Sequence, residues 1–104
     1  MDKEAEYNPI AANEIAYLEK SCFPGDCWSL EAVRSTLKRA DSVYDLEYSE
    51  GKAIGYFLAA VSFEECELYR IAVLNEYRGQ GRGKALMKRF LQVLPEGTEK
   101  VYLE

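Results

Sequence analysis

The stretch NEYRGQGRGKALM, residues 75–87, sets Gly79, Gly81 and Gly83 among Arg78, Gln80, Arg82 and Lys84. Glycine lacks the Cβ that keeps a main chain away from a bulky anion, and it takes positive φ without strain. Placed directly before a helix, such a loop adds unpaired N–H groups at the positive end of the helix dipole. The chemistry this offers is a pyrophosphate cradle, made chiefly by main-chain amides from Gly79 to Lys84, with Arg78, Arg82 and Lys84 adding charge. Two common phosphate loops do not fit. A Walker A loop needs Gly at Arg78 and Ser or Thr at Ala85, and a dinucleotide fingerprint needs Gly or Ala at Lys84. The pattern that fits is Arg78-x-x-Gly81-x-Gly83.

Other chemistry is bounded by what is missing. The sequence has no histidine, which removes Ser–His–Asp triads, Cys–His pairs and common zinc sites, and no metal is expected. Acid–base work falls to Glu, Asp, Tyr, Lys or Cys. Cys22, Cys27 and Cys66 are odd in number and widely spaced, and the acidic, polar start MDKEAEYNP is no signal peptide, so a cytoplasmic protein with reduced thiols is expected. The cysteines read as small buried hydrophobes. A net charge of −5 argues against general nucleic-acid binding. Arg70, Arg78, Arg82, Lys84, Lys88 and Arg89 nevertheless form a basic island with Glu76 the single nearby acid, which suits a local anionic ligand. The longest apolar run, Tyr56 to Val61, is too short to span a bilayer.

The elements that must position the loop follow from periodicity. With 104 residues the chain makes one domain, without repeats or linkers. Residues 10–20 have helical spacing, and Pro24 and Gly25 break the run. Ser29 is a fitting N-cap for a helix over about 30–39, with Glu31 in its first turn and Leu30, Val33 and Leu37 on one stripe. Residues 43–48 alternate as a half-exposed strand, Glu50-Gly51 marks a hairpin turn, and 53–63 is a buried central strand. A further strand covers 67–74. A helix over 82–94 buries Leu86, Phe90 and Leu94 and turns Lys84, Lys88 and Arg89 outward, until Pro95 and Gly97 end it. Residues 100–104 form a last strand, and a weakly marked strand could precede residue 9. The order predicts a mixed α/β layer structure with the glycine loop between a strand and a helix.

With that context, LYRIAVLNEYRGQGRGKALM resembles the acetyl-CoA-binding signature of the GNAT N-acetyltransferase superfamily: a strand ending in an apolar triplet, a short turn, then R/Q-x-x-G-x-G/A opening a helix. SCFPGDCWS resembles the CF…PWS segment of ribosomal-protein-alanine N-acetyltransferases (RimI-like), and VYLE resembles their LWLEV strand. The resemblance spans roughly residues 10–104. It implies a mixed, mostly antiparallel sheet flanked by helices, and acetyl transfer from acetyl-CoA to an amine. The amine would be a protein N-terminus, or else a small molecule.

The resemblance also implies roles. Main-chain groups of Ile71, Ala72 and Val73 would bind the pantetheine arm like an added strand, and Arg78, Gly79, Gln80, Gly81, Arg82, Gly83 and Lys84 would hold the pyrophosphate. Glu104 matches the glutamate that RimI-like enzymes use as general base; Glu67 is a second candidate, with strand-edge solvation its ordinary reading. Cys22 to Ser29 would shape the acceptor pocket, with Trp28 a hydrophobic anchor beneath it. Tyr69 and Tyr102 read as core or sheet-surface residues. The family pattern continues beyond this last strand by about a helix and two strands, so a partial GNAT domain is expected. The readings are a fragment, a sheet completed by a second copy of the chain, or a coenzyme A-binding protein without catalysis.

Overall fold

The computed structural model describes residues 7–62 and 64–103; the role expected of Glu104 lies outside these, as does most of the stretch before residue 9 where a weakly marked strand was expected. Helix α1 (Pro9–Cys22) starts where Asn8 Oδ1 accepts the N–H groups of Ile10 and Ala11 at 3.0 and 3.1 Å. Helix α2 (Leu30–Leu37) is capped by Ser29, whose Oγ accepts the Ala32 N–H at 3.1 Å. Then come β1 (Ser42–Ser49), β2 (Lys52–Ser62), β3 (Glu65–Val73), a 3₁₀ turn (Asn75–Tyr77), α3 (Arg82–Val93) and β4 (Lys100–Leu103).

The sheet order is β1-β2-β3-β4, antiparallel between the first three strands and parallel between β3 and β4. Glu50 and Gly51 link β1 to β2 with φ of 51° and 81°. Both values suit the left-handed pair of a two-residue hairpin. Central β2 is buried from Ala53 to Ala59, as its apolar run predicts. Neighbouring residues on a strand point to opposite faces. Tyr56 reaches Glu19 of α1, whereas Phe57 meets Phe90 of α3 with ring centroids 5.4 Å apart. Thus α1 and α3 cover opposite faces, and the fold is the mixed α/β layer structure expected.

Gly55 lets α3 lie close. A Cβ there would meet the Ala72 carbonyl oxygen at 2.8 Å, and Leu86 Cδ1 and Val73 Cγ2 at 3.1 Å. No helix among the described residues is long and apolar enough to cross a membrane.

Candidate active site

The site begins with an irregularity in β3. Leu58 pairs with Arg70 but Ala59 pairs with Leu68, so Tyr69 is an extra residue in the ladder. Tyr69 meets Trp28 at a ring-centroid distance of 5.5 Å, and Arg70 lies over Phe23 at 4.2 Å. Both therefore serve the segment between α1 and α2. On its other side β3 pairs with β4 only from Glu65↔Lys100 to Leu68↔Leu103. Beyond that register, no described strand pairs with the outer edge of β3 from Arg70 to Val73.

That edge has a definite polarity. Leu74 N–H donates back to Ile54 O of β2 at 2.8 Å. By antiparallel alternation, Ala72 shares that side, while Ile71 and Val73 turn their main-chain groups to the open edge. Arg78 Nε donates to Val73 O at 2.9 Å, consistent with this. The expectation that Ile71, Ala72 and Val73 all offer main-chain groups is thereby corrected: Ala72 offers its side chain only.

A groove follows the edge. One stretch of about 410 Å³ is lined by Phe23, Ile71, Ala72, Val73, Arg78, Gly83 and Met87. A second, of about 290 Å³, runs toward Leu103 and shares Phe23, Ile71 and Met87 with the first. The groove is thus continuous from β4 to the start of α3. Phe23 falls in the Cys22–Ser29 segment expected to shape the acceptor pocket, whereas Met87 had no groove role in the sequence reading. Met87 sits one residue after Leu86 on the apolar side of the helix, which is the signal available for it.

At the far end Gly79 and Gly81 take φ of 78° and 79° while Gln80 between them keeps a negative φ. Alternating hands of this kind curl successive N–H groups toward one concave side. Gly81 is the N-cap of α3 and no side chain caps the helix. Helical bonding starts with Ala85 N–H to Gly81 O at 3.0 Å, so the amides ahead of it lack intrahelical acceptors. The first turn holds no acidic residue; instead it contains Arg82 and Lys84, against the usual preference of the dipole.

The basic island differs from its expected form. Arg82 donates to Glu47 Oε2 at 2.9 Å, Tyr48 O at 3.2 Å and Ser49 Oγ at 3.3 Å. Arg89 is not turned outward but binds Asp45 at 2.9 Å, Glu47 at 2.7 Å and Leu46 O at 3.0 Å. Glu47 loses solvation on burial, yet the guanidinium groups of Arg89 and Arg82 outweigh this and hold its carboxyl below the usual range. Arg70 pairs with Glu19 and Asp26. These acids come from segments distant in sequence, so Glu76 is not the island's single counter-charge. Lys84 and Lys88 remain exposed on α3.

The remaining candidates are spread out. Glu67 lies in β3 between Ala60 of β2 and Tyr102 of β4. It borders a separate cavity of about 180 Å³ with Arg39, Asp41, Tyr69 and Tyr102. The cysteines are free; Cys66 is buried as expected, whereas Cys22 is half-buried and Cys27 exposed, which corrects the expectation for those two. Burial raises the Cys22 thiol pKa, more than the neighbouring Arg78 lowers it. Glu19, at 0 % exposure, was missed. Its signal is its place on the apolar stripe of Ala12, Ile15 and Cys22.

The sequence profile of the acetyltransferase (GNAT) family matches residues 12–104. The chain belongs to this family, and its class is that of N-acetyltransferases acting on amino groups, for which acetyl-CoA is the acetyl donor. No curated protein sequence matches it significantly. Solved structures are similar in fold. An aminoglycoside acetyltransferase from an uncultured soil metagenomic sample, in complex with sisomicin, has TM-score 0.79 and 21% identity over 95% of this chain and 72% of its own. A ribosomal-protein-alanine N-acetyltransferase from Brucella melitensis biovar Abortus 2308 gives 0.74 and 19% over 93% and 74%. An aminoglycoside 6′-N-acetyltransferase complexed with coenzyme A gives 0.71 and 17% over 82% and 49%.

Proposed function

We propose that this chain, as one domain, transfers the acetyl group of acetyl-CoA to a protein N-terminal amine of the ribosomal-protein-alanine type. The observation that carries the acetyl-CoA part is one continuous groove, from the open Ile71–Val73 edge to the left-handed glycine loop before an uncapped helix. Its residues fit that molecule. The Ile71 and Val73 main chain offers ladder bonds to an extended amide-bearing arm. The amides from Gly79 to Lys84, with Arg78 and Lys84 alongside, suit a pyrophosphate; Arg82 shapes the loop by bracing it against β1. Arg78 must leave Val73 O if the arm is to use that carbonyl. When bound, acetyl-CoA supplies an activated acetyl thioester. The chain's part is to align the arm and to take a proton from the amine. Glu104 is assigned that proton on the resemblance of VYLE, with Glu67 of β3 as the alternative.

The acceptor assignment rests on the likeness of SCFPGDCWS and VYLE to the ribosomal-protein-alanine enzymes. The similar fold solved with sisomicin favours a second reading, a small polyamine-like acceptor. Coenzyme A binding without catalysis is a third reading. A second copy of the chain is the proposed partner along β4, whose residues are all exposed. A monomer at every concentration in sedimentation would remove that partner. A cytoplasmic setting suits the free cysteines.

Acetyl-CoA at 100 times its dissociation constant should stabilise the protein by about 2.7 kcal/mol. For this size that raises the melting temperature by about 10 °C or more. Absence of any shift at millimolar acetyl-CoA would sink the proposal. Acetylation of an N-terminal peptide in preference to an aminoglycoside would separate the two acceptor readings, and turnover of either would dismiss the binding-only one.

A further inference from the structure

The Glu19 carboxylate is the hub of a contact set that the proposed chemistry does not use. It is fully buried near the C-terminal end of α1. Oε1 accepts the Trp28 main-chain N–H at 2.8 Å, and Oε2 accepts the Tyr56 hydroxyl of β2. Burial first, and then this bond, push the Tyr56 pKa far up, so the hydroxyl stays a donor. Arg70 Nε of β3 stands 3.2 Å from Oε2, an ion-pair contact without hydrogen-bond alignment. A buried carboxylate persists only with partners of this kind.

Arg70 carries the connection onward. Its Nη2 donates to Asp26 O at 2.5 Å and lies 3.4 Å from the Asp26 carboxylate. Its guanidinium stacks over Phe23, which lines both stretches of the groove. The turn at 23–26 has one main-chain bond of its own, Asp26 N–H to Phe23 O at 2.9 Å. The position of this segment against β3 therefore depends on side chains converging on Glu19.

We propose that Glu19 is a positioning residue: through Arg70 and Trp28 it fixes the 23–28 segment so that Phe23 walls the groove beside Ile71. The affinity for the acyl-pantetheine arm depends on that wall. The inference rests on the groove being the acetyl-CoA site. The Glu19 carboxylate touches Trp28, Tyr56 and Arg70, none of them in the Gly79–Lys84 loop whose amides would take the pyrophosphate.

Trp28 is the chain's only tryptophan, so its emission reports on the segment without turnover. In Glu19→Gln, acrylamide quenching of Trp28 should rise at least about twofold and acetyl-CoA affinity should fall about tenfold. Affinity for adenosine 3′-phosphate 5′-diphosphate, which has the pyrophosphate but no arm, should stay within about twofold, a split that general destabilisation would not produce. Arg70→Met, which leaves the Trp28 and Tyr56 bonds to Glu19, should give the same ligand split; it decides the matter if Glu19→Gln does not fold. Equal loss of both ligands, or unchanged quenching and acetyl-CoA affinity, overturns the proposal. If the unsubstituted protein binds neither ligand, the groove reading fails, and the quenching comparison alone upholds or overturns the positioning of the segment.

Discussion

Glu47 shows how a single carboxylate can shape the glycine loop without entering it. It holds Arg82 at the start of α3 and Arg89 two turns later, and so clamps the helix to β1. Its partners are 35 and 42 residues away in sequence. Glu47→Gln should therefore cost about 1–3 kcal/mol near neutral pH, since two partly buried arginines lose a charged acceptor. The sign with pH is fixed by the lowered folded pKa: the stabilisation is complete above the ordinary value of 4.5 and fades as pH falls below it. Denaturant unfolding of both proteins across that range should show the gap closing on the acid side; a gap independent of pH would contradict the assignment. Gly81 makes a second prediction at this scale. At φ 79°, Gly81→Ala should cost about 1–2 kcal/mol and weaken acetyl-CoA binding, as read by melting temperature and calorimetry. The glycines of the loop were legible in the sequence because their pattern is local. The arginine pairings were not, because the sequence names Arg82 and Arg89 as cations and only the folded sheet supplies Asp45 and Glu47.

Helices and strands were legible for the same local reason. Ser29 caps α2, the 3.6-residue stripe sets α3, and the apolar run from Ala53 sets the buried strand. Register was not legible. Nothing in ELYRIAV says that Tyr69 is an extra residue, since a bulge is a property of two strands, and it is this bulge that sends Tyr69 and Arg70 to the segment before α2. The spacing between β2 and α3 makes a prediction that belongs to elements. Gly55→Ala drives a methyl onto the Ala72 main-chain oxygen, which cannot swing aside as a side-chain end could. It should destabilise by about 1–3 kcal/mol, measured by denaturant unfolding, and should displace α3. A neutral result would mean that helix and sheet can separate at little cost.

For the whole molecule, the layered fold was legible from element order, and the groove was not, because its lining comes from Phe23, β3, Arg78 and Met87, which only the fold brings together. Strand order in the sheet equals strand order in the chain, and this has a consequence for how protection against solvent is distributed. Strands β1 to β3 are joined by short reversals, whereas β4 reaches β3 only after α3 has crossed over. Closing the longer connection costs more entropy. In native-state hydrogen exchange the amides of β2 should therefore open only with global unfolding, and those of β4 in a smaller, earlier event. Equal opening free energies in β2 and β4 would refute this. The outward amides of Ile71 and Val73 lie beyond the β3–β4 ladder, so a ligand laid along them should slow exchange there and leave the β1–β2 hairpin on its own clock.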